Sequence, residues 1–384
     1  MKLKTITQLT SIFLMMVCQP VFSQTVIEMK STDGAELKGE VLETFNRPWA
    51  MAFLPDGRAL VSEKAGAIWL LDRNGKKQAE VIGVPETQAK GQGGLGDIVV
   101  HPDFASNNTV FISYVGRDKN DDRFSGAVVE RARLELTSDS ARLTQRENIW
   151  EQSPKVTGNG HYAHRIALSA DGYVFITSGD RQKFTPSQNM AMNIGKVVRI
   201  HQDGSIPDDN PFAKNGPVTN EIWTLGHRNP LGIDFDLDGN LWVHEMGPAH
   251  GDELNLIEKA RNYGYPVVSE GSHYSGVEIP SHASMPIYVA PTVAWVPAIS
   301  PAGFMIYKGD KYADWRGDGF IGGLSSKAII RVEFEKHEKR PHHRAKEAAR
   351  YEWGQRVREI EQNAQGDIFV LEDGTSGRLI KITN

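Results

Sequence analysis

Cysteine is almost missing from this chain: one residue, Cys18, among 384. It sits in an N-terminal stretch with the marks of a secretory signal. Lys2 and Lys4 precede a short apolar run at residues 12–17, and Val21 and Ser23 stand where a signal peptidase reads small residues. Residues 1–23 are therefore expected to be removed, with cleavage before Gln24. Val17 is a poor neighbour for a lipoprotein cysteine, which takes a small residue before it. The remaining 24–384 would hold no cysteine, which excludes disulfides, thiol nucleophiles and cysteine-bound metals and suits a periplasmic or secreted location. Long apolar runs are also lacking, so no membrane span is expected. Nor is there a basic surplus: 43 Lys and Arg face 48 Asp and Glu, a net charge of -5. Nucleic acid, which needs a concentrated basic face, is a poor candidate partner. The one basic stretch, residues 336–350, has some helical composition and reads as a solvated insertion between strands.

What the chain has is glycine, 37 residues, and tryptophan, 8 residues. Many turns and aromatic-rich strands follow, rather than a helical bundle. One phrase recurs: a polar residue, a glycine, then an apolar strand. It appears around Gly57, Gly172, Gly239 and Gly366, with weaker versions at Asn108 and Gly319. Asp-Gly and Asn residues accept the positive φ of tight hairpins, and the β-branched and aromatic residues that follow suit buried strands. The spacing, roughly 60 residues, holds a four-stranded sheet with its loops. Six such units use up the chain. The expected fold is all-β: a single six-bladed β-propeller of four-stranded antiparallel blades over 24–384. A pair of β-sandwiches would not explain six similar units. The longest interval holds residues 262–301, rich in Pro, Tyr, Ser and His, and reads as a long loop at one face.

Several constellations could carry chemistry. His161, His164 and Arg165 precede a strand in GNGHYAHRIALSADGYVFITSGD, and Asp180 follows it. An imidazole titrates near working pH and makes a good general base. In an extended segment the two histidines would point to opposite faces, so at most one is expected to face a substrate, and these residues alone do not say which. GQGGLGD, residues 91–97, is no phosphate loop, because no Gly-Lys-Ser/Thr follows; its bare backbone lets Gln92 approach a ligand closely. Arg228 and Asn229 offer a charged fork and a carboxamide for carboxylates or quinone-type carbonyls. Lys308, Arg356 and Arg358 add cations at strand ends, the last two on one face by their spacing. EMGPAHGDE, residues 245–253, suits a hard cation held by carbonyls and carboxylates. Zinc is a poorer fit.

Together, GQGGLGDIVVHP, NGHYAHRI, LGHRNPLGIDFDLDGNLWVHEMGP, GDELNLIEKARNYGYP, SPAGFMIYKGD and RVRE resemble the soluble aldose dehydrogenases that use pyrroloquinoline quinone (PQQ), the glucose/sorbosone dehydrogenase family of six-bladed propellers. The resemblance runs from about Phe45 to the C-terminus. It implies His161 as catalytic base, Asp180 as the acid that contacts it or the sugar, and Arg228 as a stabiliser of charge on the cofactor. It places Gln92, Arg228, Asn229, Lys308, Arg356 and Arg358 at the quinone, with Tyr274 and Trp295 in a loop roofing the pocket. The Gly247 and Pro248 carbonyls would hold calcium against the cofactor; Glu253 and the Tyr263 carbonyl would hold a second, structural calcium. Met246 and His250 depart from the family pattern around the metal. The implied activity is oxidation of an aldose sugar to a lactone, with an external quinone or periplasmic carrier as electron acceptor and a monomer or homodimer as the assembly. A calcium-dependent propeller lactonase would leave Lys308, Arg356 and Arg358 without a task. A non-catalytic glycan-binding propeller would not need His161 or the Arg-Asn pair.

Overall fold

The computed structural model describes residues 26–335 and 344–383; the expected leader and Cys18 lie outside them. Among these described residues, twenty-five strands form six antiparallel sheets, numbered here as blades 1 to 6. Blades 1 to 5 take their four strands consecutively, from 48–80, 95–151, 163–225, 230–295 and 301–352. Blade 6 takes three strands from 357–382 and is completed by Glu36–Phe45, with Gly39 opposite Ile382 and Phe45 opposite Gly377. Val26–Lys30 adds a fifth, outermost strand there. One chain end thus closes the ring on the other. Among the described residues no helix is long and apolar enough to cross a membrane.

Each blade's first strand is innermost, and each packs against the next around the ring, Val357–Gln362 returning to Pro48–Phe53. Both faces of a blade meet neighbouring blades, so middle strands such as Tyr173–Ser178 and Leu241–Glu245 are buried almost throughout. That is why they read as near-continuous apolar runs rather than strict alternation. Between blades 4 and 5 the filling is Trp242, Leu254, Phe304, Ile321 and Ile330.

The recurring turns join first to second strands. Gly57, Gly172, Gly239 and Gly366 have φ of +88°, +88°, +83° and +79°, where a side chain would be strained. Asn108 takes this role in blade 2 at +53°. Gly319 does not: it begins the strand Gly319–Gly323, and the positive-φ residue is Gly317. The basic stretch is corrected in its later part, since Arg344–Glu352 is the outer strand of blade 5, paired along Ala328–Glu335; residues 336–343 lie outside the described residues.

A second repeat is invisible in composition. All six inner strands slip register near their starts, between Pro48 and Ala50, Leu95 and Ile98, Ala163 and Ile166, Pro230 and Gly232, Pro301 and Phe304, and Val357 and Glu359. Bulges re-aim side chains at barrel rims. Here they turn the starts of six inner strands toward one end of the channel.

Candidate active site at the bulged end of the channel

A cavity of about 450 Å³ opens at this end, within the size range of small-ligand sites. Inner-strand starts supply Arg47, Trp49, Tyr162, His164, Asn229, Ser300, Arg356 and Arg358; second-strand ends supply Lys64, Met246, Leu324 and Asp373; the blade 1–2 link supplies Gln92. Four cations face one carboxylate. Asp373 takes Arg356 Nε at 2.8 Å and Arg358 Nη2 at 3.2 Å. Burial lowers the Lys64 pKa, and Arg47 and Arg358 add to the effect. The Trp49 ring is gripped between the His164 ring, 5.2 Å away and near parallel, and the Arg165 guanidinium at 4.1 Å.

His161 and Asp180 meet beside this cavity, Nδ1 to Oδ1 at 2.6 Å. Asp180 is fully buried and also accepts from the backbone of Gln182 at 2.9 Å. The His161 backbone N–H donates to Gln92 Oε1 at 2.7 Å, joining Gln92 to the base segment. Burial holds the His161 imidazole below its usual range; Arg228 and Arg181 push the same way, while the bond to Asp180 opposes them. His164 is engaged elsewhere, with Nδ1 on Ser113 Oγ at 2.7 Å. Burial and Arg165 take it down to about 3. The segment is not extended, because His161, Ala163 and His164 have φ of +46°, +57° and +64°, so alternation did not apply.

Glu245 fixes the Arg-Asn pair: its carboxylate takes the Arg228 backbone N–H at 2.5 Å and His227 Nδ1 at 2.9 Å. Arg228 Nη1 donates to the carbonyls of Met246, at 3.0 Å, and Gly247. Tyr274, 78 % exposed, places its ring 5.8 Å from that guanidinium. Three buried polar atoms here have no partner: Arg228 Nε, Asn229 Oδ1 and Arg358 Nε. Such atoms cost free energy unless a ligand or solvent meets them.

One expected cofactor contact, Lys308, and one expected roof residue, Trp295, are not brought to this cavity. Lys308 follows the far end of its inner strand, pairs with Asp234 at 2.8 Å and lines a separate cavity of about 310 Å³ at the other end of the channel. Trp295 roofs nothing, since it is buried between blades with Nε1 on Glu347 at 2.8 Å. At the expected second metal position the residues bond one another. The Tyr263 carbonyl accepts from His282 Nε2 at 3.0 Å, and His282 Nδ1 meets Glu270 at 2.9 Å. Burial, then Glu245, raises the pKa of Glu253, which favours its neutral form. Among the described residues no three acidic, histidine or cysteine side chains are grouped for a metal. His250 Nδ1 accepts from the Ala298 backbone at 3.2 Å, and Met246 Sδ faces Asn229 Nδ2 at 3.8 Å.

Arg47, Trp49, Lys64, Glu245 and Asp373 are absent from the sequence-derived site. The repeat held a signal for three of them: Lys64, Glu245 and Asp373 lie at second-strand ends, as Asp180 does.

The family described as Glucose / Sorbosone dehydrogenase matches residues 45–381. Aldose sugar dehydrogenase YliI of Escherichia coli is 34% identical over 356 residues, 91% of this chain and 93% of that protein. Quinoprotein glucose dehydrogenase B of Acinetobacter calcoaceticus is 30% identical over 314 residues, 75% of this chain and 64% of that protein. The apo structure of the E. coli soluble aldose sugar dehydrogenase superposes with a TM-score of 0.82 at 33% identity, covering 90% of this chain and 99% of that one. A PQQ-bound aldose sugar dehydrogenase from Streptomyces coelicolor shares the fold, with a TM-score of 0.68 at 23% identity over 95% of this chain and 99% of that one.

Proposed function

The chain belongs to the glucose/sorbosone dehydrogenase family, and from that premise we propose that it oxidises aldose sugars at C1 to lactones, using PQQ and calcium. The observation that carries this reading is the His161–Asp180 pair beside a cation-rich cavity with orphaned polar atoms. Those atoms suit a planar polyanion: Arg228 Nε and Arg358 Nε lack acceptors, and Arg47, Lys64 and Arg356 supply further positive charge. When bound, PQQ with its calcium provides the two-electron acceptor for the C1 hydride.

The chain's own part is proton transfer and positioning. Asp180 is acceptor-only when ionised, so His161 Nδ1 carries the hydrogen between them and Nε2 keeps the lone pair. Nε2 is then the atom that takes the C1 hydroxyl proton, an effect of roughly 10²- to 10⁴-fold. Arg228 stabilises the negative charge that develops at the cofactor. Calcium at the Gly247 and Pro248 carbonyls is chemically reasonable, but Arg228 already donates to Gly247. No step is assigned to the Glu253–Tyr263 position.

The test is reconstitution of the exported chain with PQQ and calcium, an absorption titration for binding, and dye reduction with a panel of aldoses. Binding without dye reduction by any aldose would sink the proposal. His161→Ala is expected to bind cofactor as before and to abolish turnover; undiminished turnover would reassign the base.

A further inference from the structure

Positive-φ non-glycine residues cluster in two facing segments. His161, Ala163 and His164 have positive φ, and so do Arg181, Gln182 and Phe184, at +56°, +58° and +63°. Six non-glycine residues in that region of conformational space are costly and persist only where their surroundings hold them. Backbone bonds tie the segments together, Arg181 N to His161 O and Gly179 N to Tyr162 O, both 3.2 Å.

The largest tie is a side chain. Arg181 is 1% exposed, and its guanidinium lies on the Tyr162 ring at 3.7 Å. Nε donates to Gly160 O at 3.0 Å, Nη2 to Gly158 O at 2.6 Å, and Nη1 to Ser125 O. Every one of these acceptors is a neutral carbonyl. A buried cation without a bonded carboxylate is expensive, and burial pulls Arg181 down to about 10. As a loop staple alone it would be a costly choice, because an uncharged donor also satisfies carbonyls. Its location gives the charge a use. The groups facing His161 are Asp180, which favours its protonation, and Arg228 and Arg181, which oppose it. Those facing Arg181 are Tyr162 and Asp180.

We propose that Arg181 is a positioning residue for the base, fixing residues 158–161 so that the His161 ring meets Asp180, and placing near that ring a buried positive charge with no bonded carboxylate. The carbonyl contacts set where the base segment runs, and the charge favours the neutral resting form of the ring that a base needs. The proposal rests on His161 being the base, but its decisive measurement needs no turnover.

Label the histidine rings of the full exported chain with ¹⁵N, assign His161 by comparison with His161→Gln, and follow its titration in wild type and in Arg181→Met. Removing the charge is expected to move the His161 titration measurably upward, since Arg181 opposes its protonation. With PQQ and calcium bound, kcat should fall at least tenfold while KM and the cofactor absorption titration stay within twofold. An unchanged His161 titration would overturn the proposal. Should Arg181→Met fail to fold, Arg181→Lys decides: it keeps the charge and loses the fork and the ring contact. A tenfold kcat loss at unchanged melting temperature supports the positioning role; kcat within twofold of wild type refutes it. Wild type that reduces no dye would refute the dehydrogenase reading while leaving the titration to judge Arg181.

Discussion

His161 and His164 lie three residues apart, are both buried, and behave differently because of what their Nδ1 atoms meet. Asp180 gives His161 a carboxylate partner, so Asp180→Asn should cost turnover by misorienting the ring, roughly 10²-fold or more, with cofactor affinity unchanged. The pH dependence has a fixed sign. A base must be neutral, and burial first, then Arg228 and Arg181, hold His161 below its usual range. The rate should therefore rise through an inflection below about 6.5 and then level. Because Asp180 works in the opposite direction, its loss should move that inflection lower. An inflection at or above 6.5 in wild type would contradict the assignment. His164 affects stability instead. Its folded pKa is about 3, so the unfolded chain binds the extra proton first. Its penalty is absent above about 6.5 and grows as pH falls, at about 1.4 kcal/mol per unit. His164→Gln should flatten the stability-versus-pH slope between pH 6 and 4 by one proton's worth in urea titrations; an unchanged slope would show that His164 is not neutral when folded.

Strands explain how much could be read in advance. Asp-Gly turns announce hairpins locally, so the six blades were legible from composition and spacing. The bulges were not, since a register slip depends on the partner strand and has no residue signature here beyond scattered glycines. Lys308 failed for a related reason. SPAGFMIYKGD marks a cation at a strand end but does not say which end of the channel that is. Arg228, Arg356 and Arg358 lie at inner-strand starts, whereas Lys308 lies past a finish. Counting from the bulged starts would have separated them. The closing strand gives a prediction at this scale. Glu36–Phe45 pairs with Gly377–Ile382 and buries Leu42 and Phe45 against Phe369, Leu371 and Leu379. Val26–Lys30 lies at the outer edge and adds Met29 to the core cluster. A chain begun at residue 33 should keep a cooperative thermal transition by circular dichroism, at a lower midpoint than the chain begun at residue 24 because Met29 is lost. One begun at residue 46 leaves the last blade with an unpaired strand and should lose that transition; retention would mean the ring does not depend on this closure.

Taken whole, the propeller is a channel with chemically opposite ends. The bulged end presents Arg47, Lys64, Arg356 and Arg358 around Asp373. The other gathers Asp97, Asp234, Glu359 and Glu361, relieved by Arg165 and Lys308. Burial pushes Glu359 up to about 7 and Glu361 up to about 8, so that end resists gathering more negative charge. Arg165 separates the two. It bonds Asp97 at 3.2 Å and Glu359, and lies against Trp49, which lines the cationic cavity. A ligand carrying several carboxylates is therefore drawn to one end only. Arg358→Ala removes a partly buried cation with an unmet donor from that end and should weaken PQQ binding at least tenfold, about 1.4 kcal/mol. Lys308→Ala breaks a partly exposed pair with Asp234 at the other end and should leave binding within twofold. Absorption titration of both variants at low and moderate salt separates local contact from long-range field, because a field effect from Lys308 would fade as salt screens it. Equal losses in the two variants at moderate salt would mean that the ligand sits along the channel axis rather than at its bulged mouth.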